Sequence, residues 1–91
     1  MNKILRKEKL NSTVTLMEVE AKGVSKKAEP GQFVILRVDK DGERIPLTIA
    51  GSDKQKGTIT IIFQIVGSTT KLLDNKNEGE YLWSFIFTKR H

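Results

Sequence analysis

Apolar and polar residues alternate along most of this chain, and helical spacing is almost absent. Residues 3 to 10 and 13 to 20 form two short runs joined by Asn11-Ser12. In the second run, TVTLMEVE, the apolar phase starts on Val14 and Leu16 and then slips to Met17 and Val19, which a β-bulge would explain. KKAEPGQ reads as a turn around Pro30-Gly31. In the QFVILRV that follows, Val34, Leu36 and Val38 share one face, with Phe33, Ile35 and Arg37 on the other. DKDGE turns into RIPLTIA, and SDKQKG turns into TITIIFQIV, two consecutive antiparallel hairpins. The period then changes: GSTTKLLDNKNEGE predicts about two turns of helix carrying Leu72 and Leu73, capped by Ser68 or Thr69. A last run, EYLWSFIF, alternates Tyr81, Trp83, Phe85 and Phe87 with Leu82, Ser84 and Ile86. The predicted fold is all-β: a small closed antiparallel barrel, Greek-key and about six-stranded, with one short helix.

Composition narrows the chemistry. Ninety-one residues suit one small domain, and 37% hydrophobic with 30% charged residues suits an ordered globular one. The chain has no cysteine, and its one histidine is the last residue, His91. These counts exclude a disulfide framework, a thiol nucleophile, a thiolate zinc site and an iron–sulfur cluster held by this chain, and they leave a metal site or a histidine-based triad without candidates. No apolar run reaches the roughly 18–20 residues of a membrane span, and MNKILRKEKL lacks a secretory h-region, so a cytoplasmic protein is expected. The net charge of +5, with basic residues at Lys3, Arg6, Lys7, Lys9, Lys26, Lys27, Lys89 and Arg90, admits an anionic partner without naming one.

Two segments carry candidate chemistry. In Arg44-Ile45-Pro46-Leu47-Thr48 a proline interrupts a strand. It removes a backbone donor, so a flat ligand can approach beside Leu47 and Thr48, while Thr48 offers a hydroxyl and Arg44 a planar fork suited to phosphate. The alternative is an edge strand with an ordinary surface arginine. In Gly67-Ser68-Thr69-Thr70 a strand ends and a helix starts, where unpaired N–H groups and hydroxyls can cradle a pyrophosphate or simply cap the helix.

The order PGQFV, RIPLTI, TITIIFQIVGSTTKLL, EGEYL resembles the flavin-binding barrel of the ferredoxin–NADP reductase superfamily over residues 1 to 82. Within it the chain resembles the electron-transfer subunits related to the small subunits of sulfide dehydrogenase and of NADH-dependent reduced-ferredoxin:NADP oxidoreductase, and to the dihydroorotate dehydrogenase electron-transfer subunit. The resemblance implies FAD as cofactor. Pro46 and Leu47 would pack on the isoalloxazine and Thr48 would bond near its reactive nitrogen. Gln64, Ile65 and Val66 would flank the ribityl chain or ring, and Gly67, Ser68, Thr69 and Thr70 would hold phosphate. It also implies electron transfer between NAD(P)H and ferredoxin or a larger flavin or iron–sulfur partner subunit, with no catalytic side chain assigned. Arg44 stands four residues before Thr48, whereas the family signature places its arginine three before, where this chain has Ile45. The family continues into a nucleotide-binding domain, so residues 1–91 are expected to be a flavin-binding barrel truncated before it, inactive towards NAD(P)H as an isolated chain.

Two other functions fit a basic barrel: an OB-like single-strand nucleic-acid binder using Phe33, Phe63, Tyr81 and Trp83, and a docking barrel without cofactor. Neither requires RIPLT and GSTT, so nucleic acid is not the expected partner. The aromatic row of the last strand predicts a homo-oligomer formed through residues 80 to 88.

Overall fold

The computed structural model describes residues 1–87, leaving the side chains of Phe85 and Phe87 out of account. The elements are β1 (Asn2–Lys9), β2 (Val14–Glu20), α1 (Lys22–Ser25), β3 (Phe33–Arg37), β4 (Arg44–Asp53), β5 (Thr58–Gln64), α2 (Ser68–Asp74), β6 (Tyr81–Leu82) and β7 (Ser84–Phe87). They form one antiparallel sheet in the order β6-β1-β2-β5-β4-β3-β7. Strands β3, β4 and β5 follow one another by hairpins and β2 returns beside β5, which is the Greek-key arrangement. The two outermost strands are one stretch of chain: β6 pairs Leu82 with Asn2, β7 pairs Ser84 with Arg37, and between them the Trp83 N–H donates to the carbonyls of Arg37 (3.0 Å) and Val38 (3.1 Å). The sheet therefore meets itself, and the expected small antiparallel barrel is what the chain forms.

The core is built by strand alternation. Val34, Leu36 and Val38 are all buried, as their shared phase predicts. They pack with Ile4, Met17, Val19, Ile49, Ile59, Ile61, Leu73 and Leu82. In β2 the expected bulge is not found: its register against β5 runs unbroken from Val14↔Gln64 to Glu20↔Thr58. The inward residues are Thr15, Met17 and Val19, while Val14 and Leu16 are half-buried on the outer face. The irregularity lies instead in β1, between Ile4 and Arg6. Thr15 can occupy the core because its hydroxyl donates to Asp74 Oδ1 of α2 at 2.5 Å.

Three further expectations change. A one-turn helix, α1, precedes the Pro30-Gly31 turn, with Ser25 buried and its hydroxyl donating to the Lys22 carbonyl. The cap of α2 is Gly67, in extended backbone, and neither Ser68 nor Thr69 supplies a side-chain cap; both are already helical. The last strand does not keep one phase, since Leu82 is buried whereas Ile86, four residues on, is exposed. The break falls at Trp83, where the chain changes partner from β1 to β3. Residues 88–91, and so the end of the expected 80–88 contact surface together with Lys89, Arg90 and His91, lie outside the described residues.

Candidate functional site

Pro46 sits where a proline costs the sheet least. Ile49 donates its N–H to Gln32 (2.7 Å) and accepts from Gly31 (3.0 Å), so its backbone groups face β3. Alternation then turns those of Ile45 and Leu47 to β3 and those of Arg44, Pro46 and Thr48 to the opposite edge. On that edge the pairing of β4 with β5 begins only at Ile49↔Ile61, beside an irregularity between Ile49 and Gly51. Residues 44–48 have register partners on β3 alone. The missing donor of Pro46 thus points to an edge that β5 has already left, still paired with β2 through Gln64↔Val14.

This divergence sorts the predicted site residues into two groups. Arg44, Pro46 and Thr48 are exposed on the outer face of β4. Leu47 is half-buried and packs against the core, as Ile65 does beyond β5. Gln64 and Val66 are exposed. Ile62 joins them on the outer face, 42% exposed, although the site expected from sequence did not include it. Its signal was an isoleucine in a polar phase of TITIIFQ. Pro46, Ile62 and Val66 are thus exposed apolar residues on and after these two strands, and Arg44, Thr48 and Gln64 exposed polar ones.

The turn after β5 brings the second segment against the first. The Thr70 hydroxyl accepts from the N–H groups of Val66 (2.8 Å) and Gly67 (3.0 Å) and donates to the Gly67 carbonyl (3.0 Å). One donor and two acceptor sites are all a hydroxyl has, so Thr70 is fully used in shaping the turn. Ser68 and Thr69 lie in the first turn of α2, where backbone N–H groups lack intrahelical acceptors. Thr69 donates to Glu43 Oε1 at 3.1 Å, which ties the residue before Arg44 to the helix start. Glu43 is a second site residue that sequence reasoning missed. Its carboxylate takes up the Thr69 hydroxyl at the start of α2.

At the other end of α2, Asp74 accepts from Thr15, pairs with Lys9 Nζ at 3.0 Å, and its carbonyl takes a bond from Lys7 Nζ. Burial works to raise its carboxyl pKa, but the Thr15 and Lys9 bonds and the charges of Lys7 and Lys9 outweigh it and hold the group below the ordinary aspartate value. This network anchors the helix whose first turn lines the site. The aromatic platform of a single-strand binder is not assembled: Phe63 is buried and Phe33 half-buried, leaving Tyr81 and Trp83 exposed. Among the described residues no helix is long and apolar enough to cross a membrane.

No family model matches the chain. An uncharacterized protein in the adh 3' region of Clostridium beijerinckii is 50% identical over 86 residues, covering 94% of this chain and 29% of that protein. A Thermotoga maritima homolog of the electron transfer subunit of dihydroorotate dehydrogenase B (NAD(+)) is 40% identical over 86 residues, covering 94% and 30%. The solved structure of an NADH-dependent reduced ferredoxin-NADP oxidoreductase, studied for flavin-based electron bifurcation, superposes with a TM-score of 0.91 at 37% identity, over 94% of this chain and 31% of that one. The chain thus spans about 30% of the length of the proteins it matches. In sequence and in fold the chain is similar to the ferredoxin–NADP reductase-like barrel of these proteins, the dihydroorotate dehydrogenase electron transfer subunits among them.

Proposed function

We propose that this chain is the FAD-binding barrel of a cytoplasmic electron-transfer flavoprotein, which in its complete form moves electrons between NAD(P)H and ferredoxin or an iron–sulfur or flavin partner subunit. The observation that supports this best is the half-strand Arg44–Thr48, which has no β5 partner and lies beside the α2 start. FAD, when bound, supplies the two-electron and one-electron redox chemistry. The residues here fit such a ligand. Pro46, Ile62 and Val66 offer an apolar bed for a flat ring, and Thr48 a hydroxyl at its rim. Gln64 provides an amide beside the linker. Ser68, Thr69 and the Arg44 guanidinium are the groups left for phosphate once Glu43 turns away, and Thr70 positions them through the turn. Leu47 and Ile65 support this surface from the core side. The exposed Tyr81, Trp83 and Ile86 form the patch through which the barrel would meet another subunit or a second copy of itself.

The test is titration of the chain with FAD and with FMN, followed by flavin fluorescence and the visible spectrum. FAD is expected to bind more tightly, because FMN lacks the second phosphate. Thr70→Ala is expected to weaken FAD binding by disordering the turn. Losing a charged phosphate contact in Arg44→Ala costs at most about 1.5–3 kcal/mol, less if its four-residue spacing holds the guanidinium away. Equal affinity for the two flavins, or none with the fold intact, defeats the proposal.

A further inference from the structure

At the ends of β4 and β5 opposite to Arg44 and Gly67, two segments border a half-open hollow of about 300 Å³ lined by Lys22, Lys26, Lys54, Gln55, Lys56 and Gly57. Four of the six lining residues are lysines, and among the described residues none of them forms an ion pair. Lys22 and Lys26 are one helical turn apart at α1, and Lys54 and Lys56 flank Gln55 in the turn between β4 and β5. The two segments are clamped rather than loosely apposed. Gly57 accepts from the Ala21 N–H at 2.8 Å, and the Asp53 carboxylate takes the N–H groups of Gln55 and Lys56 at 3.0 Å each. Gly57 has φ +73°, and a Cβ there would lie 2.7 Å from Lys22 Cγ. Contact this close leaves no slack between the two lysine-bearing segments.

Like charges brought together repel one another, and the one Asp53 carboxylate of the same turn offsets the four lysines only in part; a multiply charged anion would offset them further. We propose that this hollow is a second binding site, for a small polyanion carrying two or more linked phosphate groups. Its volume suits a small ligand, and its charge suits a di- or triphosphate better than a single phosphate. Its position separates it from the flavin surface, so the two sites succeed or fail independently.

The experiment is calorimetric titration of the flavin-free chain with inorganic tripolyphosphate, pyrophosphate and orthophosphate at two salt concentrations. Saturable 1:1 binding is expected, tightest for tripolyphosphate and weakened by salt. Lys26→Gln with Lys54→Gln should weaken it about tenfold, on the scale of two exposed ion pairs. Lys3→Gln with Lys40→Gln, the same charge change outside the hollow, should leave it within about twofold. Both double variants should bind FAD as the unaltered chain does. No tripolyphosphate binding, equal loss in the two double variants, or tighter binding of a polyglutamate peptide than of tripolyphosphate would each overturn the site.

Discussion

Replacing Thr15 by valine and, separately, Thr58 by valine makes the same chemical change at two fully buried strand positions, with opposite expected outcomes. Both residues face the core. The Thr15 hydroxyl donates to the Asp74 carboxylate at 2.5 Å, whereas the Thr58 hydroxyl is buried with no hydrogen-bond partner among the described residues. Valine matches threonine in shape and strand preference, so each change isolates the hydroxyl. A hydrogen bond to a charged group is worth about 1.5–3 kcal/mol. Asp74 keeps Lys9 and its side chain is 19% exposed, so water recovers part of the loss and Thr15→Val should cost about 1.5–2 kcal/mol. Thr58→Val removes an unsatisfied buried hydroxyl and should stabilise by about 1 kcal/mol. For a domain of this size each kcal/mol moves Tm by about 4–8 °C, so the two variants should melt on either side of the unaltered chain. Urea unfolding followed by circular dichroism gives the same comparison, with an unchanged m-value showing that only stability moved. If Thr58→Val loses as much as Thr15→Val, the partner of each hydroxyl does not decide its contribution.

Asp74→Asn should destabilise the chain at neutral pH. Because the folded carboxyl pKa is depressed, that contribution is present above the unfolded value of about 4 and fades as pH falls through the folded one, so the gap to the unaltered chain should close in acid melts. Gly57→Ala forces a left-handed backbone onto a residue with a Cβ and meets Lys22, so a loss of at least about 1–2 kcal/mol in denaturant titration is expected. With Trp83 37% exposed beside Tyr81, light scattering over a dilution series should find an oligomer that Trp83→Lys shifts to monomer; a monomer at all concentrations would refute the contact.

Strand identity was legible because most strands keep period two, and Val34, Leu36 and Val38 show how far that carries. The misread places share a cause, a contact that strand periodicity does not encode. Thr15 looks like an outward residue until Asp74, 59 positions away, supplies its acceptor. The apparent slip in β2 was therefore a threonine taken for surface. In EYLWSFIF the alternation stops at Trp83 because the strand changes neighbours there. α1 is a single turn containing Gly23, too short for any helical period. At the candidate site the residue types were visible, but their sides were not fully used: alternation alone puts Leu47 inward when Pro46 and Thr48 face out. Glu43 could not be found without the loop geometry that sets it on Thr69.

The join between β6 and β7 also dictates a timetable. Asn2 leaves a ribosome well before its partner Leu82, which follows 80 positions later, since 82 − 2 = 80. At translation speeds of about 5–20 residues per second that is a wait on the order of 4–16 s. During it, the free margins of β1 and β3 stand open to any neighbouring nascent chain. β1, NKILRKEK, carries Lys3, Arg6, Lys7, Glu8 and Lys9, a density of charge that discourages edge-to-edge capture until β6 and β7 arrive to pair with the two margins.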